Sequence, residues 1–275
     1  MEKIIRTVDH KTHRVQITTA DERWYLQPTT DPTTGLPTYT AVPSVTWIGD
    51  FYPKGVGFYK WLANTGWDES HALKEAAGDK GSKVHTAVSA LLLGETIAMD
   101  AAILNPSTES PDPLTVEEYE CLMSFVAWHQ TYRPGLIAQN VVVWNQTHGY
   151  AGTLDALFRI LPAFADKTVP AGLVLVDFKT SKSVWMPHRL QVSAYKHTPE
   201  VDALAQGEPV ALGILQLGYR LTKTQYKFTP VEDEFALFLS TKQIWAKETA
   251  GDHPKQRDYP LTLTLTHPAP PAQKE

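Results

Sequence analysis

The 275-residue chain reads as an α/β (α+β) protein built on a central sheet, and three stretches say so. Leu173-Val174-Leu175-Val176 is a continuous apolar run of buried-strand type, and it stops abruptly at Asp177-Phe178-Lys179. Leu136 to Asn145 and Gly152 to Leu161 are two further strand-like runs, and the short turn Gln146 to Tyr150 between them predicts antiparallel pairing. Between and around these strands lie segments of helical period, foremost Asp68 to Gly94, where Val84, Val88 and Leu91 form an i, i+4, i+7 stripe.

The other elements follow in order. Ile4 to Val8 and Arg14 to Thr18 predict a hairpin, and Trp24-Tyr25-Leu26 adds a strand. Pro28 to Pro37 reads as a loop from its Thr, Pro, Asp and Gly content. Trp47 to Trp67 is rich in aromatics, with Phe58, Trp61 and Leu62 at helical spacing. The favoured reading is a helix packed on the core, and the competing one is a base-stacking platform. Gly78 to Gly81 predicts a break in the long helix, with Ser82 as N-cap of its second half and Gly81-Ser82 bringing backbone near a phosphate. Asn105 to Pro113 reads as a loop. Thr115 and Glu118 have the spacing of a capping box, and Leu122, Phe125, Val126 and His129 continue that helix's apolar face until Pro134-Gly135. Pro187 to Thr198 is a helix with Pro187 in its first turn. Ala211 to Tyr219 and Gln225 to Thr229 are strands, and Glu232 to Ala250 is a helix with Phe235, Leu239 and Ile244 inward. The Pro-rich end after Gly251 is expected to be flexible.

Composition excludes several classes. With 25 Lys+Arg against 30 Asp+Glu the formal charge is -5, which argues against a protein that coats nucleic acid non-specifically but leaves room for a local basic groove. One cysteine, Cys121, excludes a disulfide framework, an all-cysteine zinc site and an iron–sulfur cluster within the chain. It sits in an apolar helical pattern and reads as a core thiol. No apolar run is long enough to span a membrane, and the charged start Met1-Glu2-Lys3 is unlike a signal peptide, so a cytoplasmic protein is expected. There are no internal repeats, and no GxGxxG or P-loop pattern.

The chemistry concentrates where the apolar strand ends. Asp177 and Lys179 alternate with Phe178 and project to one side. Charges at the tip of a buried strand are costly unless partnered. Asp155 can reach the same edge from the neighbouring strand, with Gly149 and Gly152 letting the backbone bend or come close to another group. Two carboxylates and a lysine there suit a hard divalent cation and an activated water. Taken singly these pieces are common: an Asp-x-Lys is more often a surface ion pair, and a lone His85 on a helix is more often structural. Gln191 and Tyr195 share a helix face, which by itself is an ordinary helix surface. Lys182, Arg189 and Lys196 add positive charge nearby.

In combination and order, Gly81-Ser82-Lys83-Val84-His85, Gly149 to Asp155, Val176-Asp177-Phe178-Lys179-Thr180 and Gln191-Val192-Ser193-Ala194-Tyr195 resemble the PD-(D/E)xK nuclease superfamily. The similarity is to its RecB-type branch, with phage-encoded exonucleases and the mitochondrial genome-maintenance exonuclease as parallels. It runs from about Val42 to Tyr195. The resemblance implies a restriction-endonuclease-like core, a central mixed β-sheet flanked by helices, and a Mg2+- or Mn2+-dependent phosphodiesterase site. It makes His85, Asp155, Asp177 and the Phe178 carbonyl metal ligands. Asp155, Asp177 and Lys179 become catalytic, and Ser82, Thr180, Lys182, Gln191 and Tyr195 substrate-binding. Gln139-Asn140 stands where many phage relatives carry a glutamate. The implied layout is a β-hairpin region at 1–41 packed on the core, a nuclease domain at 42–250 and a tail at 251–275. The implied function is a DNA exonuclease acting on single- or double-stranded ends in phage recombination, replication or DNA processing. A recombination or single-strand-binding protein is the partner this suggests. A structure-specific endonuclease on the same core, a catalytically idle nucleic-acid-binding module and a metal-free structural protein are the competing readings. Lys179 is open between orienting or deprotonating a water and stabilising phosphate oxygens.

Overall fold

The computed structural model describes residues 5–9, 13–19, 22–33, 35, 37–105, 110–218, 224–249 and 254. The tail expected at 251–275 lies, except for Pro254, outside the described residues. Among the described residues eleven strands and seven α-helices follow one another in mixed order. The main sheet has the order β11-β10-β9-β8-β7. It comprises β7 (Gly135–Asn145), β8 (Tyr150–Ile160), β9 (Gly172–Lys179), β10 (Val210–Gln216) and β11 (Lys227–Val231). β7, β8 and β9 are antiparallel neighbours, β10 runs parallel to β9, and β11 returns antiparallel, so the sheet is mixed. The parallel β9–β10 step needs a crossover, and α5 (Met186–Lys196) with α6 (Pro199–Ala205) supplies it.

Because β9 is covered on both faces, it carries apolar residues at successive positions instead of alternating ones. Leu173 and Leu175 face a core shared with Leu190 and Val192 of α5 and Phe238 and Trp245 of α7 (Phe235–Thr249). Val174, Val176 and Phe178 face a second core shared with α3 (Trp67–Leu92) and α4 (Val116–Tyr132). Each fully buried Leu or Phe in these layers contributes roughly 1.5–3 kcal/mol relative to exposure.

A second sheet lies at the N-terminal end, in the order β1-β2-β3-β4, all antiparallel. Its strands are β1 (Ile5–Asp9), β2 (Arg14–Thr18), β3 (Arg23–Thr30) and β4 (Pro37–Pro43). Val15, Ile17, Trp24 and Leu26 turn into the α5–α7 core. Tyr25 and Val42 pack instead on Trp144 and Ala151 of the main sheet. Trp24, Trp47 and Trp245 meet edge to face, with centroids 5.1–5.9 Å apart, and lock this sheet to α1 (Val45–Asp50) and α7.

The structure corrects several expectations. Strand pairing continues to Thr30 and resumes at Pro37, so the expected loop is shorter at both ends. The second half of the expected Asn105–Pro113 loop is β6 (Ser110–Pro113), paired with β5 (Ala102–Asn105). α3 runs unbroken through Gly78 and Gly81, and Ser82 is therefore no N-cap: its carbonyl accepts from Thr86 Oγ1 at 3.0 Å. The helix survives two glycines, each costing about 1 kcal/mol, because Val84, Ala87 and Val88 are fully buried. The ion pair Lys83–Glu118, at 2.9 Å between 7% and 6% exposed side chains, ties it to α4. The expected packing of the aromatic helix is also overturned. α2 (Val56–Thr65) has no buried residue, and Phe58, Tyr59 and Trp61 are exposed. In α7 Phe235 and Leu239 pack partly buried against the core as expected, Phe238, Thr241 and Trp245 are the fully inward residues, and Ile244 is exposed. Val126 is likewise exposed on α4, where Cys121 and Trp128 take the buried positions. Among the described residues no helix is long and apolar enough to cross a membrane.

Candidate functional site

The site lies where β8 and β9 part. Their ladder runs from Ile160↔Gly172 to Ala156↔Val176 and stops one pair short of Asp155 and Asp177. On its other edge β9 stays paired to β10 through Lys179. The Phe178 N–H, freed from the ladder, donates to Asp155 Oδ2 at 2.7 Å. Asp155 is also released on the β7 side. Pairing skips from Gln139↔Ala156 to Val141↔Leu154, and Asn140, lying between, is left-handed at φ 51°. Leu154 and Leu157 both enter the α5-side core although three residues apart, so β8 changes phase at this point. That local twist is what aims Asp155 into the opening instead of into either core.

β9 supplies the second acid. Asp177 is fully buried, and no hydrogen-bond donor is aimed at either of its carboxylate oxygens. The Lys179 ammonium stands 2.6 Å from Oδ2, an ionic contact outside hydrogen-bonding alignment. Burial, with the Asp155 charge adding to it against Lys179, pushes the Asp177 carboxyl above the ordinary carboxylate range. Burial acts on Asp155 the same way, but the His85 imidazole, Lys179 and the Phe178 N–H outweigh it and hold Asp155 below that range. Two neighbouring acids pushed in opposite directions fit a site that carries less than two full negative charges in the absence of a counter-ion.

α3 brings His85 from the opposite face. Its Nε2 is 2.9 Å from the Phe178 carbonyl and its Nδ1 3.4 Å from Asp155 Oδ1. Burial works against the imidazolium, yet the Asp155 carboxylate raises the His85 pKa. α5 brings Gln191 and Tyr195. Gln191 Oε1 accepts from Lys179 Nζ at 3.3 Å, and Gln191 Nε2 donates to Tyr195 Oη at 3.0 Å. Tyr195 lies against Gly152, where any Cβ would overlap its ring. The close approach expected at Gly152 is thus to an aromatic side chain, and it docks α5 onto β8.

His85, Asp155, Asp177, Phe178, Lys179, Gln191 and Tyr195 therefore meet in one connected cluster. The other expected residues stand apart from it. Thr180 follows the cluster at the end of β9, and a Cβ on Gly81 would lie 3.7 Å from its Oγ1. Ser82 sits on the same stretch of α3, and Lys182 is exposed in the following loop. Lys196 pairs with Asp233 at 3.0 Å. In place of an acid at 139–140, Gln139 donates to the Ser89 carbonyl at 3.3 Å and Asn140 to Ser89 Oγ at 2.9 Å.

Two contributors carried no sequence signal. His188, in the first turn of α5, has a pKa pushed down to about 3 by burial and then by Lys179 and Lys54, so it is a neutral imidazole beside the lysine. Tyr25 of β3 is buried and its Oη is 2.9 Å from Thr153 Oγ1, two residues before Asp155. Strand alternation alone gives no hint that a residue 128 positions away reaches this strand.

No family model matches the chain, and no curated protein matches it in sequence. The site's chemistry must therefore be read from its own atoms. Among the described residues no three His, Cys, Asp or Glu side chains are arranged around one point as a ligand set. The donors nonetheless fit a hard divalent cation. Asp177 offers two buried oxygens without aligned donors, Asp155 a carboxylate and Phe178 a carbonyl, while His85 touches both latter groups. In this arrangement the Lys179 ammonium provides the positive charge beside Asp177.

Proposed function

We propose that the chain is a divalent-metal-dependent deoxyribonuclease of exonuclease type, built on a restriction-endonuclease-like core. The observation that carries this reading is the buried, donor-poor carboxylate of Asp177, set beside Asp155 where two strands separate and flanked by one lysine. A structural ion pair would have its acceptor oxygens satisfied by N–H groups. A buried carboxylate whose one close partner is the Lys179 ammonium, with Oδ1 left without a donor, suits a cation that arrives with substrate. The mixed sheet with helices on both faces, and the order His85, Asp155, Asp177-Phe178-Lys179, Gln191, agree with the superfamily resemblance.

Asp155, Asp177 and the Phe178 carbonyl would hold Mg2+ or Mn2+, which would supply charge stabilisation at the phosphorus and a more acidic water. The protein's own groups do the rest. Asp155, fixed by the Phe178 N–H at 2.7 Å, keeps its ionised form aimed at the opening. Lys179, steered by Gln191 and in 2.6 Å contact with Asp177, acts as the cation that meets the non-bridging phosphate oxygens as charge develops on them. Tyr195 buttresses Gln191 through its hydroxyl and fixes the distance of α5 from β8 by packing on Gly152. His85 orients Asp155 and the Phe178 carbonyl from the α3 side.

Incubating the pure protein with end-labelled linear DNA and Mn2+ or Mg2+ tests the reading. Hydrolysis that is lost in Asp177→Asn and absent with covalently closed circles is the expected result. Cleavage of closed circles would reassign the same core to an endonuclease, and no cleavage under any metal would overturn the hydrolase reading.

A further inference from the structure

The N-terminal sheet carries a second polar cluster that the catalytic reading leaves unused. Arg23, at the start of β3, is half-buried, and among the described residues it forms no ion pair. A partly desolvated guanidinium without a carboxylate is a costly arrangement. The side chains that hydrogen-bond it, Gln16 and Thr46, are neutral. With the Gln16 amide turned oxygen-inward, as the surrounding donors require, Oε1 accepts from Arg23 Nε at 3.0 Å, from Nη2 at 3.2 Å and from Tyr25 Oη at 2.7 Å. Tyr25 then accepts from the Thr153 hydroxyl at 2.9 Å. Arg23 Nη1 reaches Thr46 Oγ1 at 3.4 Å, and Thr46 Oγ1 in turn lies 3.2 Å from Ser44 Oγ. Gln16 is 9% exposed and Tyr25 4%, so the guanidinium is held on a rigid base.

A guanidinium has five N–H groups. Gln16 takes two of them, on Nε and Nη2, and Thr46 one on Nη1, which leaves one N–H on each terminal nitrogen for a phosphate oxygen. The base connects to the cleft through Thr153, two residues and about 7 Å along β8 from Asp155. The burial of Tyr25 and Gln16 thus positions one fixed positive charge beside the strand that carries a catalytic acid.

We propose that Arg23, held by Gln16 and flanked by Thr46, seats a non-bridging backbone phosphate of the nucleic-acid strand on the N-terminal-sheet side of the Asp155–Asp177 cleft. The inference rests on the nuclease reading for the identity of its ligand. It makes the N-terminal sheet part of the substrate groove, with Arg23 as a binding residue and Gln16 and Tyr25 as positioning residues.

The test is equilibrium binding of a fluorescein-labelled oligodeoxynucleotide to the full chain in EDTA, over a salt series, for wild type, Arg23→Gln and Arg23→Lys. Removing one phosphate contact is expected to weaken binding about tenfold at low salt and to lower the log–log salt slope by about 0.7–0.9. Arg23→Lys keeps the slope and loses part of the affinity, because a point charge replaces a fork. That second variant, with thermal melting of both, separates a phosphate contact from a purely structural role. If Arg23→Gln melts early, the lysine variant decides: a slope lowered as much as in the glutamine variant overturns the proposal. Arg23→Gln with wild-type affinity and slope, in a protein that cleaves DNA, overturns the seat alone. Arg23-dependent binding in a protein that never cleaves upholds the seat and removes the hydrolase reading. Wild type that does not bind overturns the seat.

Discussion

Asp177 is fully buried, its oxygens lack aligned donors, and Lys179 is its only ion-pair partner among the described residues. Asp177→Asn keeps the shape and removes the charge. It is expected to leave the fold intact by circular dichroism and to cut phosphodiester hydrolysis at least ~100-fold, since loss of one ligand removes several kcal/mol of transition-state stabilisation. That Asp177 and Lys179 share one side of β9 was legible from the parity of an apolar run ending in Asp-x-Lys; that Asp155 joins them was legible only from the order of the motifs. Arg23 and Tyr25 were not. Their place at the site depends on pairing between sheets, and no local pattern encodes which outer-face residue of β3 meets Thr153. Gly152 stands between these cases. Its need for a close neighbour was readable, but the identity of that neighbour, Tyr195, was not. Gly152→Ala is expected to lower the melting temperature and the activity together, and pairing it with Tyr195→Leu is expected to recover stability without activity; a stable, fully active Gly152→Ala protein would show that α5 does not depend on this contact.

Helices were readable where a cap or a buried stripe defined them. The capping box at Thr115 and Glu118 is present, with Glu118 N to Thr115 Oγ1 at 3.3 Å and Thr115 N to Glu118 Oε2 at 2.8 Å. The same Glu118 oxygen takes Lys83 at 2.9 Å, a tertiary contact that no capping pattern announces. Burial tends to raise the Glu118 pKa, but the Thr115 N–H and the Lys83 ammonium outweigh it, and the carboxyl is held below its ordinary value of 4.5. A depressed carboxylate contributes stability that is present above the unfolded-state pKa and is lost as pH falls through the folded-state pKa. Glu118→Gln is therefore expected to cost about 3–5 kcal/mol at pH 7 by leaving Lys83 buried and unpaired. The cost should shrink on acidification below about pH 4.5. Urea titrations at pH 7 and pH 3.5 measure both; an equal loss at the two values would contradict the assignment. Gly78 and Gly81 misled the helical reading because glycine propensity is a weak local cost, whereas α3 is held by tertiary burial along its second half. α2 misled it in the other direction. Aromatic spacing predicts a buried face, but among the described residues Phe58, Tyr59 and Trp61 stay exposed, so Trp61→Ala is expected to change stability by less than about 0.5 kcal/mol. A larger loss in chemical denaturation would mean that the helix is covered in solution.

At the scale of the whole molecule, the N-terminal sheet and the main sheet share the α5–α7 core. Arg14 of the N-terminal sheet pairs with Glu200 of α6 at 2.6 Å, and Glu200 Oε2 accepts the Trp144 N–H at 3.0 Å, so the α6 end of the crossover is fastened to both sheets. The α/β class and the antiparallel β7–β8 pair were legible from periodicity and a short turn. The hairpin and third strand of the N-terminal sheet were legible too, and only its fourth strand, Pro37–Pro43, was missed; the parallel β9–β10 step was not legible, because it joins strands separated by two helices. With a net charge of -5, a nucleic-acid contact of the kind proposed would have to rest on local cations, and the proposal names Lys179 and Arg23 for that part. All of this turns on whether the parted strands bind metal and cut DNA. The decisive measurement is digestion of 5′- and 3′-labelled single- and double-stranded DNA by wild type and Asp177→Asn, with Mn2+, Mg2+ and EDTA in parallel. Metal-dependent shortening from an end by wild type alone is the expected result; equal digestion by the two proteins, or none by either, would contradict it.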